Sequence, residues 1–179
     1  MRKLICVLCL VFSIILCSCS VQKSTIILNQ EESNSMDRVY DIHCFQNEKI
    51  NIVIYEYLNG KWNKIISEFL ESETQKIILT LVTPQSQEND YHFQISYKDN
   101  LDENMKQLQK IVFKESGSFF HQKDISQIEK NKELQNLAIY EWSNDGEVCI
   151  YDLKNFSIND SYNAKRAYLV MIDLYDETN

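Results

Sequence analysis

Large apolar and polar side chains alternate along Tyr91-His-Phe-Gln-Ile-Ser-Tyr97, the pattern of a strand with one face on a core and the other in water. Ile50-Asn-Ile-Val-Ile-Tyr-Glu-Tyr57 reads as a second strand that runs through Leu58 into Asn59-Gly60. Asn-Gly accepts the positive φ angles of a type I′ turn, so Gly60-Lys-Trp-Asn-Lys-Ile-Ile66 is expected to return antiparallel. Lys76-Ile-Ile-Leu-Thr-Leu-Val-Thr83 is apolar on both faces and reads as a central strand ended by Pro84. Leu137-Ala-Ile-Tyr-Glu-Trp142, a turn at Asn144-Asp145-Gly146, Glu147 to Leu153, and Ala167 to Tyr175 complete at least seven expected strands.

One stretch breaks the period. Leu101, Met105, Leu108 and Ile111 or Val112 recur at helical spacing behind Asp99-Asn100 and the acidic Asp102-Glu103, which predicts a capped amphipathic helix. Ile125 and Ile128 after Asp124 suggest another short one. The expected fold is therefore a mainly antiparallel β-sandwich-like single domain with one or two short helices, with an α+β arrangement or a closed β-barrel as alternatives.

The first 19 residues have a different character. Arg2 and Lys3 form a basic start, Leu4 to Leu16 an apolar stretch, and Leu16-Cys17-Ser18-Cys19 a processing site. That tetrapeptide resembles the lipobox of bacterial lipoproteins. The resemblance implies that the Cys19 thiol receives a diacylglycerol, that residues 1–18 are removed, and that the lipid anchors the chain on the extracytoplasmic side of the cell membrane. In a cell with two membranes, Ser20 implies the outer membrane. The thirteen residues from Leu4 to Leu16 fall short of the roughly 20 that span a bilayer. The low-polarity run continues to Val21, so a retained spanning anchor and an ordinary secretion signal stay open. Residues 19–37, rich in Ser, Gln, Asn and Glu, suit a flexible tether, leaving 38–179 as the domain. Thr25-Ile-Ile-Leu28 is either a first strand or an apolar patch in that tether.

Charge narrows the partners. The chain carries 18 basic and 26 acidic side chains; without Arg2 and Lys3, 16 face 26, for a net charge of −10. Such a surface repels nucleic acid and anionic headgroups, so contact with the membrane is expected through the lipid and no nucleic-acid partner is expected.

Candidate chemistry is sparse. Ile54-Tyr55-Glu56-Tyr57 and Ile139-Tyr140-Glu141-Trp142 both lead into an Asn/Gly turn, about 85 positions apart. Were the two strands to place Glu56 and Glu141 roughly 5 to 9.5 Å apart, they would suit acid–base work on a glycosidic bond. Tyr55, Tyr57, Trp62, Tyr140 and Trp142 are either a platform for sugar rings or a peptide, or sheet core and cross-strand pairs. His43, His92 and His121 have no metal-ligand spacing, and no cofactor is expected. Cys44 and Cys149 are either a disulfide, closing a loop of about 100 residues for roughly 4.7 kcal/mol in the chain-entropy model, or two buried thiols. A Cys/His nucleophile at His43-Cys44 or Cys149 has no flanking pattern behind it.

Two classes of function follow. The first is a membrane-anchored binding or interaction module with a protein or glycan partner. The second is an extracytoplasmic enzyme acting on carbohydrate or cell wall through paired glutamates.

Overall fold

In a computed structural model the chain is described over residues 23–44, 48–70, 74–82, 90–99, 104–115, 119–130, 133–147 and 152–176. These residues form eleven strands and no helix: β1 (Thr25–Leu28), β2 (Asp37–His43), β3 (Glu48–Leu58), β4 (Lys61–Leu70), β5 (Thr74–Val82), β6 (Asp90–Asp99), β7 (Lys106–Lys114), β8 (Phe119–Asp124), β9 (Gln127–Glu129), β10 (Gln135–Ser143) and β11 (Arg166–Asp176). A six-stranded sheet runs β7-β6-β5-β2-β1-β9 and a five-stranded sheet runs β4-β3-β11-β10-β8, every neighbouring pair antiparallel. Among the described residues each sheet keeps two free edges, so the architecture is a two-layer sandwich and not a closed barrel.

Aromatic rings join the layers. Phe93 of β6 meets Tyr140 and Tyr168 with centroids 4.8 and 5.7 Å away, and Phe113 of β7 meets Trp142 and Tyr168 at 4.9 and 5.0 Å. Ile50, Ile52 and Ile54 of β3 and Ile77, Leu79 and Leu81 of β5 fill the remaining interior. Ion pairs tie the layers at their ends. Arg38 of β2 holds Asp124 of β8 at 2.8 Å, and Arg166 of β11 holds Glu115, just past β7, at 3.0 Å. Asp124 also accepts from the Tyr40 hydroxyl at 3.1 Å. Burial first, and the Asp124 charge next, push the Tyr40 and Tyr140 phenols well above their ordinary range.

The expected helix is a strand. Leu108, Ile111 and Val112 belong to β7, whereas Leu101 lies outside the described residues and Met105 is exposed. The reason lies in the ladder: Ile95 pairs Gln109 while Ser96 pairs Gln107, which leaves Leu108 as an extra residue. A bulge reverses the side-chain phase. Leu108 and Ile111 therefore both pack on the core at a spacing of three that imitates one helical turn. Ile125 and Ile128 have a similar history. The Ile125 amide still pairs with Leu137 O at 2.8 Å beside β8, while Ser126 O accepts from Leu28 N at 2.9 Å in the other sheet. The chain changes layers there, and Ile128 is buried in β9.

Two boundaries also move. Thr25–Leu28 is β1, paired on one side with β2 and on the other with β9, with Ile26 buried. Folded structure thus begins within the stretch expected to be tether. The polar residues after it close a turn, where Asn34 Oδ1 accepts from the amides of Met36 and Asp37 at 2.7 and 2.9 Å. Of the strand expected over 147–153, residues 148–151 lie outside the described residues, and Leu153 sits in a turn with its side chain buried.

The five-stranded sheet is covered on both faces. Its inner face meets the other sheet; across its outer face lies the irregular segment 152–165, a strap whose Leu153, Phe156, Ile158 and Tyr162 pack on Tyr57, Ile139, Ala167 and Leu169. Asn136 Nδ2 pins the strap by donating to the carbonyls of Leu153 and Phe156 at 2.8 and 2.7 Å. That double cover explains why β10 is buried at nearly every position, on both faces.

Candidate functional site

The β3–β4 hairpin builds the most distinctive surface feature. Asn59 and Gly60 both take positive φ, 54° and 79°, which closes the two-residue turn and sets Trp62 opposite Tyr57. The strap then delivers two further rings. Tyr57 meets Trp62 at 5.2 Å and Tyr162 at 4.7 Å edge-on, and Trp62 meets Tyr162 at 5.0 Å and Phe156 at 5.9 Å. Such tilted and edge-on contacts are the favoured aromatic geometries. The Tyr57 hydroxyl donates to Tyr162 O at 2.8 Å, and the Tyr162 hydroxyl donates to Glu141 Oε2 at 2.9 Å. Tyr57 is buried beneath the cluster, whereas Trp62, Phe156 and Tyr162 stay partly exposed at its rim.

The five aromatics singled out by sequence are thus divided. Tyr55, Tyr57 and Trp62 lie on the outer face of the sheet. Tyr140 and Trp142 point inward and are fully buried between the layers. Phe156 and Tyr162 take their places on the outer face. The only sequence signal for these two was a scatter of large apolar residues through the polar stretch 152–165, without a period to mark it.

The two glutamates are likewise kept apart. Glu56 of β3 faces inward, where it accepts from the Tyr168 hydroxyl at 2.8 Å, with Arg166 at 3.8 Å. Glu141 of β10 faces outward under the strap and is only 1 % exposed. Two strand spacings, roughly 9.6 Å, and the thickness of the sheet separate the two strands' carboxylates. They share no cleft, so the acid–base pair on a glycosidic bond is not assembled. Burial first, then the bond to Glu56, raises the Tyr168 phenol above its ordinary range.

Cys44 carries a free thiol just past β2, and Cys149 lies outside the described residues. Burial, reinforced by the nearby Glu48 charge, pushes the Cys44 thiol up to about 12. A thiol so protonated at neutral pH is a poor nucleophile, and the adjacent His43 is exposed. Glu48 itself accepts from Ser24 Oγ and from Lys130 Nζ, the latter at 2.7 Å. Among the described residues no group of three or more His, Cys, Asp or Glu gathers as metal ligands.

No protein-family model matches the chain, and no curated protein or solved structure matches it. The class is therefore defined by the fold alone: an antiparallel β-sandwich with a strapped outer face and an aromatic hairpin.

Proposed function

We propose that this chain is a lipid-anchored extracytoplasmic interaction module, held to the membrane through Cys19 and offering the Trp62, Phe156 and Tyr162 rim to a protein or glycan partner. The observation that supports the reading is that the rim stands at the end of the sandwich opposite Ser24, the side from which the chain enters the fold. Ser24, close behind Cys19, is bonded to Glu48 at the start of β3. β3 then runs away from that end for eleven residues to Leu58, roughly 36 Å at 3.3 Å per residue. The hairpin tip and its aromatic rings stand at the far end. With only Ser20 to Ser24 between the lipid and β1, the near end is within about 18 Å of the bilayer surface, and the aromatic end projects outward. Two acyl chains on one cysteine make such attachment durable. Trp and Tyr are the side chains that most often anchor protein and sugar partners.

The test is the intact mass of the chain recovered from bacterial membranes, beside that of Cys19→Ala. A polypeptide that begins at residue 19 and carries a diacylglycerol, with the addition absent from the variant, supports the reading. An unmodified chain that keeps residues 1–18 overturns the lipid anchor.

A further inference from the structure

The strap covers the outer face of the five-stranded sheet; the outer face of the six-stranded sheet is built differently. Ile77, Leu79 and Leu81 of β5 fill the core, so Lys76, Ile78, Thr80 and Val82 point out, and the cross-strand partners of each share its face. Three rows result. Asp41 of β2, Lys76 of β5 and Lys98 of β6 stand side by side. Asp37, Thr80, Gln94 and Lys110 of β7 form the next row, and Val82, His92 and Val112 the third.

The first two rows run from acid to base across the sheet. The acidic side gains Glu32, which reaches Lys76 from the turn between β1 and β2, and Glu129, exposed on β9. On the basic side Lys98 and Lys110 make no ion pair among the described residues. The third row is apolar except for His92: Val82 and Val112 are exposed, as is Ile27 on β1.

We propose that this face pairs with the same face of a second copy, about a two-fold axis that runs along the strands between β5 and β2. Such an axis lays β6 and β7 of each copy over β1 and β9 of the other, so the basic side meets the acidic side twice. An axis across the strands would lay each strand on its own counterpart and set lysine against lysine. A lipid surface, or a partner of a single charge, would match only half of a face that carries both signs; a second copy matches all of it. Ile27, Ile78, Val82 and Val112 supply apolar contact. Six strands 4.8 Å apart and the length from Lys76 to Val82 give a face of roughly 29 by 23 Å, about 670 Å². That is close to the roughly 800 Å² per partner of a stable interface. The inference depends on neither the anchor nor the aromatic rim, which lies on the other sheet. It does point the entry ends of both copies the same way, as two chains anchored in one membrane require.

The experiment is sedimentation equilibrium of the full chain in density-matched detergent micelles, with micelles in large excess over protein. A dimer with a Kd of roughly 1 to 100 μM is expected at about 0.1 M salt, weakened about tenfold at about 1 M salt. Lys98→Glu with Lys110→Glu should give a monomer, and so should Glu32→Lys with Glu129→Lys. These are surface positions, and unchanged far-ultraviolet circular dichroism checks that both variants fold. Mixed together, the two variants should pair, because each contact between the faces is then again acid on base. Lys61→Glu with Lys64→Glu, on β4 of the other sheet, should leave the Kd unchanged. A chain that stays monomeric up to about 1 mM overturns the proposal. So does a dimer that survives Lys98→Glu with Lys110→Glu, which would put the contact elsewhere, and so do mixed variants that stay apart.

Discussion

Ile54-Tyr-Glu-Tyr57 and Ile139-Tyr-Glu-Trp142 are nearly the same sequence, and the fold uses them in opposite senses. Both flank β11, one on each side. Glu56 pairs with Tyr168 and Tyr57 with Ala167; on the other side Tyr140 pairs with Tyr168 and Glu141 with Ala167. The two motifs are offset by a single residue along the central strand. One residue of slip exchanges the faces of a strand, so in β3 the tyrosines face outward and the glutamate inward, and in β10 the reverse holds. A strand buried on one face only could not tolerate this freedom. The five-stranded sheet tolerates it because the strap makes its outer face a second, smaller core.

The largest effect should come from breaking the inward member. Trp142 is fully buried against Tyr91, Phe113, Phe120 and Tyr168. Trp142→Ala should cost about 3 to 5 kcal/mol, seen as a lower urea midpoint with an unchanged slope. Trp62→Ala, on the partly exposed outer rim, should cost about 1 to 2 kcal/mol by the apolar area it covers. Equal losses would mean that the outer cluster is as tightly packed as the core, and the contrast between the faces would fail.

The glutamates sharpen the same contrast at smaller scale. Glu141→Ala removes the buried acceptor of the Tyr162 hydroxyl and leaves a void under the strap, a loss of about 2 to 3 kcal/mol. Glu56→Ala should cost about 1 kcal/mol, because its carboxylate is partly exposed and the Tyr168 hydroxyl is its main partner. Since Glu56 raises the Tyr168 phenol, that variant should bring this tyrosine's alkaline titration to lower pH. An ultraviolet pH titration reads it directly. If the curve does not move, burial alone sets the Tyr168 value.

What could be read in advance followed the range of the forces involved. The β3–β4 turn was legible because Asn59 and Gly60 carry their own φ preferences. The strand at Tyr91 to Tyr97 and the sandwich class were legible because one-sided burial writes period two into a sequence. Leu108 and Ile111 misled because a bulge, set by the partner strand, shifted their phase. The facing of the two Ile-Tyr-Glu motifs was not legible at all: with apolar surface on both sides of the sheet, alternation cannot say which side is which. Phe156 and Tyr162 escaped for a related reason. A strap has no repeat, and its aromatics are held by Asn136 and Glu141, which come from another part of the chain.

Asn136 tests the strap as the origin of that second core. Asn136→Ala removes two neutral hydrogen bonds, one buried and one partly buried, together about 2 kcal/mol. The loss should be local. Amide hydrogen exchange is expected to quicken over residues 152–165 and on the outward side of β10, while the interior strands β5 and β6 keep their protection. Uniform loss across both sheets would show that strap and sandwich unfold as one unit.

The smallest effect separates turn from packing. A Cβ built at Gly60 meets nothing within 4 Å, so space places no limit on substitution there. The φ of 79° does. Gly60→Ala should therefore cost about 1 kcal/mol from the backbone alone, whereas Gly60→Asn, which enters the left-handed region more readily, should lose less. Both should leave the Tyr57–Trp62 pairing intact, which near-ultraviolet circular dichroism of the aromatic cluster will report. Were Gly60→Ala to erase that signal while stability held, the two-residue turn would be what holds the cluster together. The strap would then be resting on a surface that the hairpin had already made.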